Sequence, residues 1–218
     1  VHCAAATGFL ESGRAEAERV NIRGVEAVLA FARRIGCRRF HHMSTVYAAG
    51  CGGDGICRER LYGDGGFTNV YEETKHRGER LVHGFCTEHG IVHTILRSSV
   101  VVGDSRCGRT FRFNGFYHPL NALFRLSGLF RDRRERARSL GIVYDNGSVL
   151  MPIRIESANE SGINLVPVDY VAKVTAEVVG RSGDGGIYHI AAREAVTVDA
   201  ILAYLRRFAG IGGLRTVS

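Results

Sequence analysis

His93-Thr94-Ile95-Leu96-Arg97-Ser98-Ser99-Val100-Val101-Val102-Gly103-Asp104 is a β-branched run closed by glycine, which predicts a strand from His93 to Val102 buried on both faces, as parallel strands are. Upstream, Arg38-Arg39-Phe40-His41-His42-Met43-Ser44-Thr45 reads as another strand, Phe40 to Ser44, running into two hydroxyl residues. A helix is expected between them, from about Tyr71 to Glu88, with Gly90 just beyond it. Outward from this unit the alternation continues. Arg14 to Arg34 is helical and stopped by Gly36, with Val20, Val25, Val28, Leu29 and Ala32 on one face; Gly24 is costly there unless something packs closely. Asp169 is the expected N-cap of a helix through Val179 that ends at Gly180, Ile187 to Ala191 is a strand, and Thr197 caps a helix ending before Gly210. Strands alternating with helices indicate an α/β fold. Such sheets place their chemistry at the carboxyl ends of the strands.

One helical face carries a pattern with chemical meaning. In Asn69-Val70-Tyr71-Glu72-Glu73-Thr74-Lys75, a spacing of four puts the phenol of Tyr71 and the ammonium of Lys75 side by side. A neighbouring ammonium favours the phenolate, so Lys75 is expected to pull the Tyr71 pKa down from about 10. Tyr71 then exchanges a proton with a carbonyl or an alcohol. Gly50, Gly52, Gly53 and Gly55 follow the strand that ends at Thr45, and that position reads as a loop rather than a phosphate cradle.

Composition narrows the class. The chain has 218 residues, of which 45% are hydrophobic, enough for one sizeable core or one domain plus part of another. No run of apolar residues is long enough for a transmembrane helix, and no signal-peptide pattern opens the chain. Cys3, Cys37, Cys51, Cys57, Cys86 and Cys107 show no C-x-x-C spacing, so neither a zinc site nor a disulfide framework is indicated, and a reducing cytoplasm fits. His41-His42 and the group His83, His89, His93 lack the carboxylate or thiol that completes a ligand set, so no metal is expected.

The net charge of +7 raises the question of nucleic acid. Much of it lies in Arg131-Asp132-Arg133-Arg134-Glu135-Arg136-Ala137-Arg138, where acids are interleaved and no aromatic stacking platform accompanies the arginines. A solvated helix or loop is the plain reading; contact with phosphate groups, which arginine binds bidentately, is the functional one. Nucleic acid is not an expected partner. Between Gly103 and Leu165 the periodicity weakens, and Phe111, Phe113, Phe116, Tyr117, Leu120, Leu123, Phe124, Leu126, Leu129 and Phe130 crowd together. Core packing is one reading of this cluster, an apolar lining for an acyl substrate the other.

Taken in order, these segments resemble the extended short-chain dehydrogenase/reductases, and within them the thioester-reductase or fatty-acyl-CoA-reductase branch. Val1-His2-Cys3-Ala4-Ala5-Ala6 is similar to the strand that ends beside the cofactor, and Val20-Asn21-Ile22-Arg23-Gly24-Val25 to the following helix. Ser44-Thr45-Val46-Tyr47-Ala48-Ala49-Gly50 matches the segment of the catalytic hydroxyl, and Val101-Val102-Gly103-Asp104-Ser105-Arg106-Cys107-Gly108-Arg109-Thr110 the stretch most particular to the branch. Asn164-Leu165-Val166-Pro167-Val168-Asp169-Tyr170-Val171-Ala172 and Tyr188-His189-Ile190 complete the series. Three positions depart from the pattern: Ser98 stands where proline is usual, Thr74 where serine is usual and Cys107 where threonine is common.

The resemblance implies a Rossmann-like doubly wound parallel sheet with a smaller substrate-binding region. The sheet is expected to be incomplete, because no glycine-rich turn precedes Val1 and the first strands are missing; the chain reads as an N-terminally truncated piece. Residues 1–103 are then the C-terminal part of an NAD(P)-binding domain, 104–163 the substrate region, 164–192 a return to the Rossmann core and 193–218 the start of a truncated C-terminal substrate region. Thr45, Tyr71 and Lys75 are implied as catalytic. Ala4, Ala5, Asn21, Ser44, Tyr71, Lys75, Ser99, Val100 and Val101 are implied at the cofactor, NADP or NAD, with the backbone of 99–101 facing the nicotinamide. Phe111, Phe116 and Tyr117 are expected to touch a small acyl or carbonyl substrate carried as a coenzyme A or carrier-protein thioester. A nucleotide-sugar epimerase or dehydratase, a hydroxysteroid-type dehydrogenase and a non-catalytic cofactor-sensing protein are the alternatives.

Overall fold

Asn69 begins the helix that carries Tyr71 and Lys75, and it does so by capping. Its Oδ1 accepts a hydrogen bond from the Glu72 backbone N–H at 3.0 Å, while the Glu72 carboxylate reaches back to the Thr68 N–H at 3.0 Å, a reciprocal arrangement that satisfies otherwise orphaned donors. This helix, α2, spans Val70–Glu88. The computed structural model describes residues 1–50, 56–63, 65–111, 113, 115–130, 133–157, 162–181, 183 and 185–217. Cys51, the loop glycines Gly52, Gly53 and Gly55, and Arg131 and Asp132 lie outside the described residues.

The described chain divides into two units, one of Val1–Arg109 with Val166–Ala191 and one of Thr110–Leu165 with Ala192–Ser218. In the first, helix α1 (residues 14–34) precedes strand β1 (Arg39–Thr45), followed by α2, strand β2 (Val92–Ser98) and, after a long excursion, strand β3 (Gly186–Ile190). The sheet is parallel in the order β1-β2-β3, with Thr45 opposite Ser98 and Ser98 opposite Ile190. At the other edge of β1, His2 makes a parallel bridge to His42, held by His2 N–H to His41 O at 2.7 Å and Met43 N–H to His2 O at 2.9 Å. The strand expected over Val1 to Ala6 is therefore reduced to this bridge.

The strand expected as one piece from His93 to Val102 is interrupted at Ser99. Its N–H bonds Ile190 O at 3.0 Å, after which Val100–Val102 leaves the three-stranded sheet. Asp169 also differs from expectation. Pro167, in extended conformation, takes the N-cap position of the helix Val168–Gly180 without a side-chain cap. The Asp169 carboxylate instead accepts Ser105 N–H at 2.9 Å and Ser105 Oγ–H at 2.7 Å, which fixes the turn after Gly103.

Helix α1 is continuous through Arg14–Glu18, a π-helical turn at Arg19–Arg23 and Gly24–Arg34. The extra residue of the π turn re-phases the helix so that Asn21 and Ile22 both point inward. The core of this unit is built from Val25, Leu29 and Ala32 of α1, Phe40, Val82, Cys86, Ile91 and Ile95. Close approach of α1 to α2 depends on Gly78, where a Cβ would lie 3.0 Å from Asn21 O; Gly24, the glycine singled out by the sequence, meets only Arg19 O at 3.6 Å.

In the second unit a hairpin joins Val143–Asp145 to Ser148–Leu150 through Asn146 and Gly147, both at positive φ. Asn-Gly is the usual pair for such a turn. Ile211–Gly212 adds in parallel, and Ala137, Ile142, Val149, Met151, Leu205 and Ile211 form the core. Helix Val198–Ala209 is capped by Thr197, as expected, and ends at the left-handed Gly210. The aromatic cluster is split: Leu120, Leu123 and Phe130 pack on this core, whereas Phe111, on the loop before helix Tyr117–Leu129, is 98% exposed. For Phe111 the core reading is thus corrected.

Two glycines of α2 test the packing. Gly84 is exposed with nothing within 4 Å of an added Cβ, so Gly84→Ala is expected to stabilise by about 0.5–1 kcal/mol through helix propensity. Gly78→Ala gains the same propensity but presses on the Asn21 carbonyl, so it is expected to destabilise. Urea midpoints for the two variants check this; equal gains would show that α1 moves freely away from α2.

Candidate active site

At the carboxyl ends of the parallel strands, four pieces of chain meet: the residues after His2, the end of β1 at Ser44 and Thr45, the break after β2 at Ser98 and Ser99, and the first turns of α2. Thr45 is 4% exposed, its Oγ1 accepting the Tyr47 N–H at 3.4 Å. Tyr71, one residue into α2, lies near enough to the Thr45 hydroxyl for that group to lower its pKa. Lys75, one turn later and 3% exposed, donates from Nζ to Met43 O at 2.7 Å. The structure therefore brings Thr45, Tyr71 and Lys75 to one place.

Their electrostatics differ from the expectation that Lys75 lowers the Tyr71 pKa. Burial raises the Tyr71 pKa, the Thr45 hydroxyl opposes this incompletely, and the Glu72 carboxylate adds to the rise. Burial also lowers the Lys75 pKa to about 8, against the opposing pull of Glu79 and Cys3. Desolvation disfavours whichever form is charged, and it is the largest cause of both shifts. At neutral pH Tyr71 is a protonated donor, and Lys75 is an ammonium close to its titration point.

Asn21, expected at the cofactor, is turned to the protein. Its Oδ1 accepts Ala6 N–H at 2.8 Å, and its Nδ2 donates to Ala6 O and to Thr74 Oγ1, both at 3.0 Å. Thr74 Oγ1 passes the chain on to Val70 O at 2.8 Å. Asn21 is thus a positioning residue that ties the segment of Ala4 and Ala5 to the start of α2. Ala4 is exposed and Ala5 half-buried, and the adjacent Cys3 acts electrostatically on Lys75. The Ser99 N–H bonds Ile190 O; Val100 is half-buried and Val101 is 39% exposed.

Other features lie outside the sequence reading. Phe9 lays its ring 5.7 Å from that of Tyr71, and His76 Nδ1 meets Ala48 O at 2.9 Å. Neither carries a periodic or motif signal. Gly50, at positive φ, approaches Gly66 so closely that a Cβ would lie 2.7 Å from its carbonyl oxygen, which makes it a loop-closing residue. In the second unit, Tyr117 packs edge-on against Phe116 and Phe113, with centroids 5.7 and 5.6 Å apart.

A nicotinamide dinucleotide presents ribose hydroxyls and a carboxamide, and the residues present suit it. Ser44 Oγ and Ser99 Oγ are buried with no hydrogen-bond partner among the described residues, an arrangement that calls for a polar ligand or water. The Lys75 ammonium carries three donors, one of them engaged by Met43 O. No group of three or more His, Cys, Asp or Glu residues among those described is arranged to hold a metal ion; His83 and His93 face each other at 3.0 Å as a pair. No helix among the described residues is long and apolar enough to cross a membrane.

No curated protein sequence matches the chain. Its fold is similar to the terminal R domain from the myxalamid PKS-NRPS biosynthetic pathway, with a TM-score of 0.75 and 24% identity over 99% of this chain and 48% of that one. It is also similar to the UDP-glucuronic acid 4-epimerase from Bacillus cereus in complex with UDP-glucuronic acid and NAD, with a TM-score of 0.71 and 18% identity over 100% of this chain and 62% of that one. A third likeness is to the UDP-glucose 4-epimerase complex with NAD from Thermus thermophilus, at TM-score 0.64 and 17% identity over 98% and 62% of the two chains. The chain spans about half the length of the first of these and less than two thirds of the others. These likenesses establish a Rossmann-like α/β fold with a parallel sheet. The model of the NAD-binding family described as male sterility protein matches residues 1–175, and the chain belongs to that family of extended short-chain dehydrogenase/reductases.

Proposed function

We propose that the protein of which this chain forms the described part reduces an acyl thioester, carried on coenzyme A or on a carrier protein, with NADPH as reductant. One observation carries the reading: a phenol whose pKa burial raises, beside the Thr45 hydroxyl and one helical turn from a buried ammonium. That arrangement favours giving a proton to a carbonyl oxygen over taking one from an alcohol. The resemblance of this chain's segments to the thioester-reductase branch, together with its family membership, supports the acyl substrate.

Bound NADPH supplies the hydride to the carbonyl carbon. Thr45 hydrogen-bonds the carbonyl oxygen and sets its position, and Tyr71 donates its proton there as negative charge develops. Lys75 keeps its ammonium toward that charge and holds ribose hydroxyls with its remaining donors. Ser44 and Ser99 offer their buried hydroxyls to the cofactor, and Ala4 and Ala5, fixed through Asn21, line its approach. The resulting hemithioacetal collapses to an aldehyde and a thiol, and a second reduction gives the alcohol. Phe111, Phe116 and Tyr117 are the proposed contacts of the acyl chain.

In the full-length protein, Tyr71→Phe is expected to lower turnover of an acyl-CoA with NADPH by about two orders of magnitude or more while leaving nucleotide binding nearly unchanged, as loss of a positioned acid should. Nucleotide consumption and aldehyde formation measure it. Wild-type turnover in the variant removes Tyr71 from the mechanism; turnover of a UDP-sugar with no thioester reduction replaces this reading by the epimerase one.

Lys75 gives a pH dependence with a definite sign. Its folded pKa of about 8 lies below the unfolded lysine value of about 10.4, so the unfolded chain binds more protons between these values and stability rises with pH through that window. Below about pH 8 the buried charge costs about 3 kcal/mol at 1.36 kcal/mol per unit. Lys75→Met is therefore expected to raise the nucleotide-free melting temperature at pH 7 and to flatten its rise above pH 8, while abolishing turnover. Wild-type turnover is expected to fall as pH rises through about 8, since the ammonium is then lost. A lower melting temperature for Lys75→Met at pH 7 would contradict the buried-charge account.

A further inference from the structure

A second cluster lies beside the first. The segment from Ile56 to Tyr62 wraps the buried guanidinium of Arg97: Arg97 Nη1 donates to Arg58 O at 3.3 Å, and the guanidinium stands 5.5 Å from the centre of the Tyr62 ring. Tyr62 Oη accepts the Arg58 N–H and donates to Ile56 O at 3.3 Å, closing the turn on itself. This turn carries Cys57 outward. Its thiol is exposed, yet it lies 3.7 Å from the Nε2 of His189 on β3 and 3.7 Å from the carbonyl oxygen of Val46. Glu59 holds His189 in place by accepting its backbone N–H at 2.7 Å.

A thiol within reach of an imidazole, accessible from solvent, is the geometry of a nucleophile and its base. We propose that Cys57 and His189 form a thiol-modification site that takes low-molecular-weight disulfides. His189 Nε2 accepts the Cys57 proton as the sulfur attacks one sulfur of the disulfide. The old S–S bond breaks, a new one forms to Cys57, and the departing thiolate recovers the proton from His189. One thiol and one disulfide are consumed, and one mixed disulfide and one thiol are made.

The charged surroundings disfavour a free thiolate, so the nearness of His189 Nε2 is what assists the attack. Burial raises the Cys57 pKa, against the lowering influence of Arg97 and Tyr62, and Glu79 raises it further. Burial and Arg97 lower the His189 pKa, with Glu59 and Glu79 opposing. Thiol and imidazole are accordingly both neutral at pH 7, which is the resting state a base-assisted attack needs. Since Val46 directly follows Thr45, an adduct on Cys57 sits at the strand end where the proposed carbonyl substrate is held, so modification is expected to block that site.

The experiment compares thiols within one molecule and does not depend on reductase activity. The purified full-length protein is treated with oxidised glutathione at pH 7, and the rate of each adduct is followed by peptide mass spectrometry. Cys3 and Cys107, which are also exposed, serve as references. Cys57 is expected to react at least about tenfold faster than either, and His189→Gln to remove that advantage without altering Cys3 or Cys107. The deficit of His189→Gln should narrow as pH rises, because a growing share of the thiol then ionises without a base. Equal rates at the three cysteines, or an unchanged Cys57 rate in His189→Gln, would overturn the proposal.

Discussion

A guanidinium with no exposure to water must be matched where it lies, and Arg97 is matched by Glu79 in a two-pronged ion pair with bonds of 2.9 and 2.6 Å. Such a pair need not raise net stability, since desolvating both charges offsets much of their attraction. It fixes geometry instead: removing one partner leaves a buried charge unpaired, so β2 and α2 hold a single register. Tyr71 and Lys75 lie on α2 on the N-terminal side of Glu79, and Ser98 and Ser99 follow Arg97 directly. The same pair therefore sets α2, with Tyr71 and Lys75, against the strand ends and anchors the turn that carries Cys57.

Asn21 supplies the second constraint. Its amide joins Ala6 to Thr74, and it can do so because α1 bulges by a π turn and because Gly78 admits the Asn21 carbonyl to within 3.0 Å of where a Cβ would stand. A longer side chain at residue 78 would move α1 outward and loosen the segment of Ala4 and Ala5 from α2. One absent methyl group thus governs whether two parts of the site keep their distance. Local conformation, helix packing and site geometry are linked here through a single buried amide.

Much of this is legible in the sequence where the signal is local. The helix from Arg14 to Arg34, α2 with Gly90 beyond it, β1 and the helix after Thr197 all follow from periodicity, caps and glycine stops; the pairing of Tyr71 with Lys75 follows from their spacing, and their company with Thr45 from the family resemblance. What escapes depends on contacts between distant residues. The break at Ser99 arises because its N–H answers Ile190, and Asp169 fails to cap because Pro167 begins the helix while Ser105 claims the carboxylate. Asn146-Gly147 does carry a local turn signal, but its three-residue strands are too short to show a period of their own inside a weakly periodic stretch. Gly78 and Glu79 give no sign in the sequence of the close approach or the buried partner they serve.

The direction of the Tyr71 pKa is the instructive disagreement, because the sequence shows the neighbour and conceals the depth. Lys75 four residues on suggests a stabilised phenolate; the fold instead withdraws both groups from water, so each is pushed toward its neutral form. In the proposed reduction this opposition is useful. The resting site holds an ammonium whose hydrogen-bond partner is a backbone carbonyl, with no carboxylate in contact among the described residues, and that ammonium gains its match only when negative charge forms on the substrate oxygen. Stabilisation that is weak in the resting state and strong at the developing oxyanion is differential by construction, and only differential stabilisation accelerates a chemical step. Burial of Lys75 is destabilising for the fold for the same reason that it is suited to the reaction.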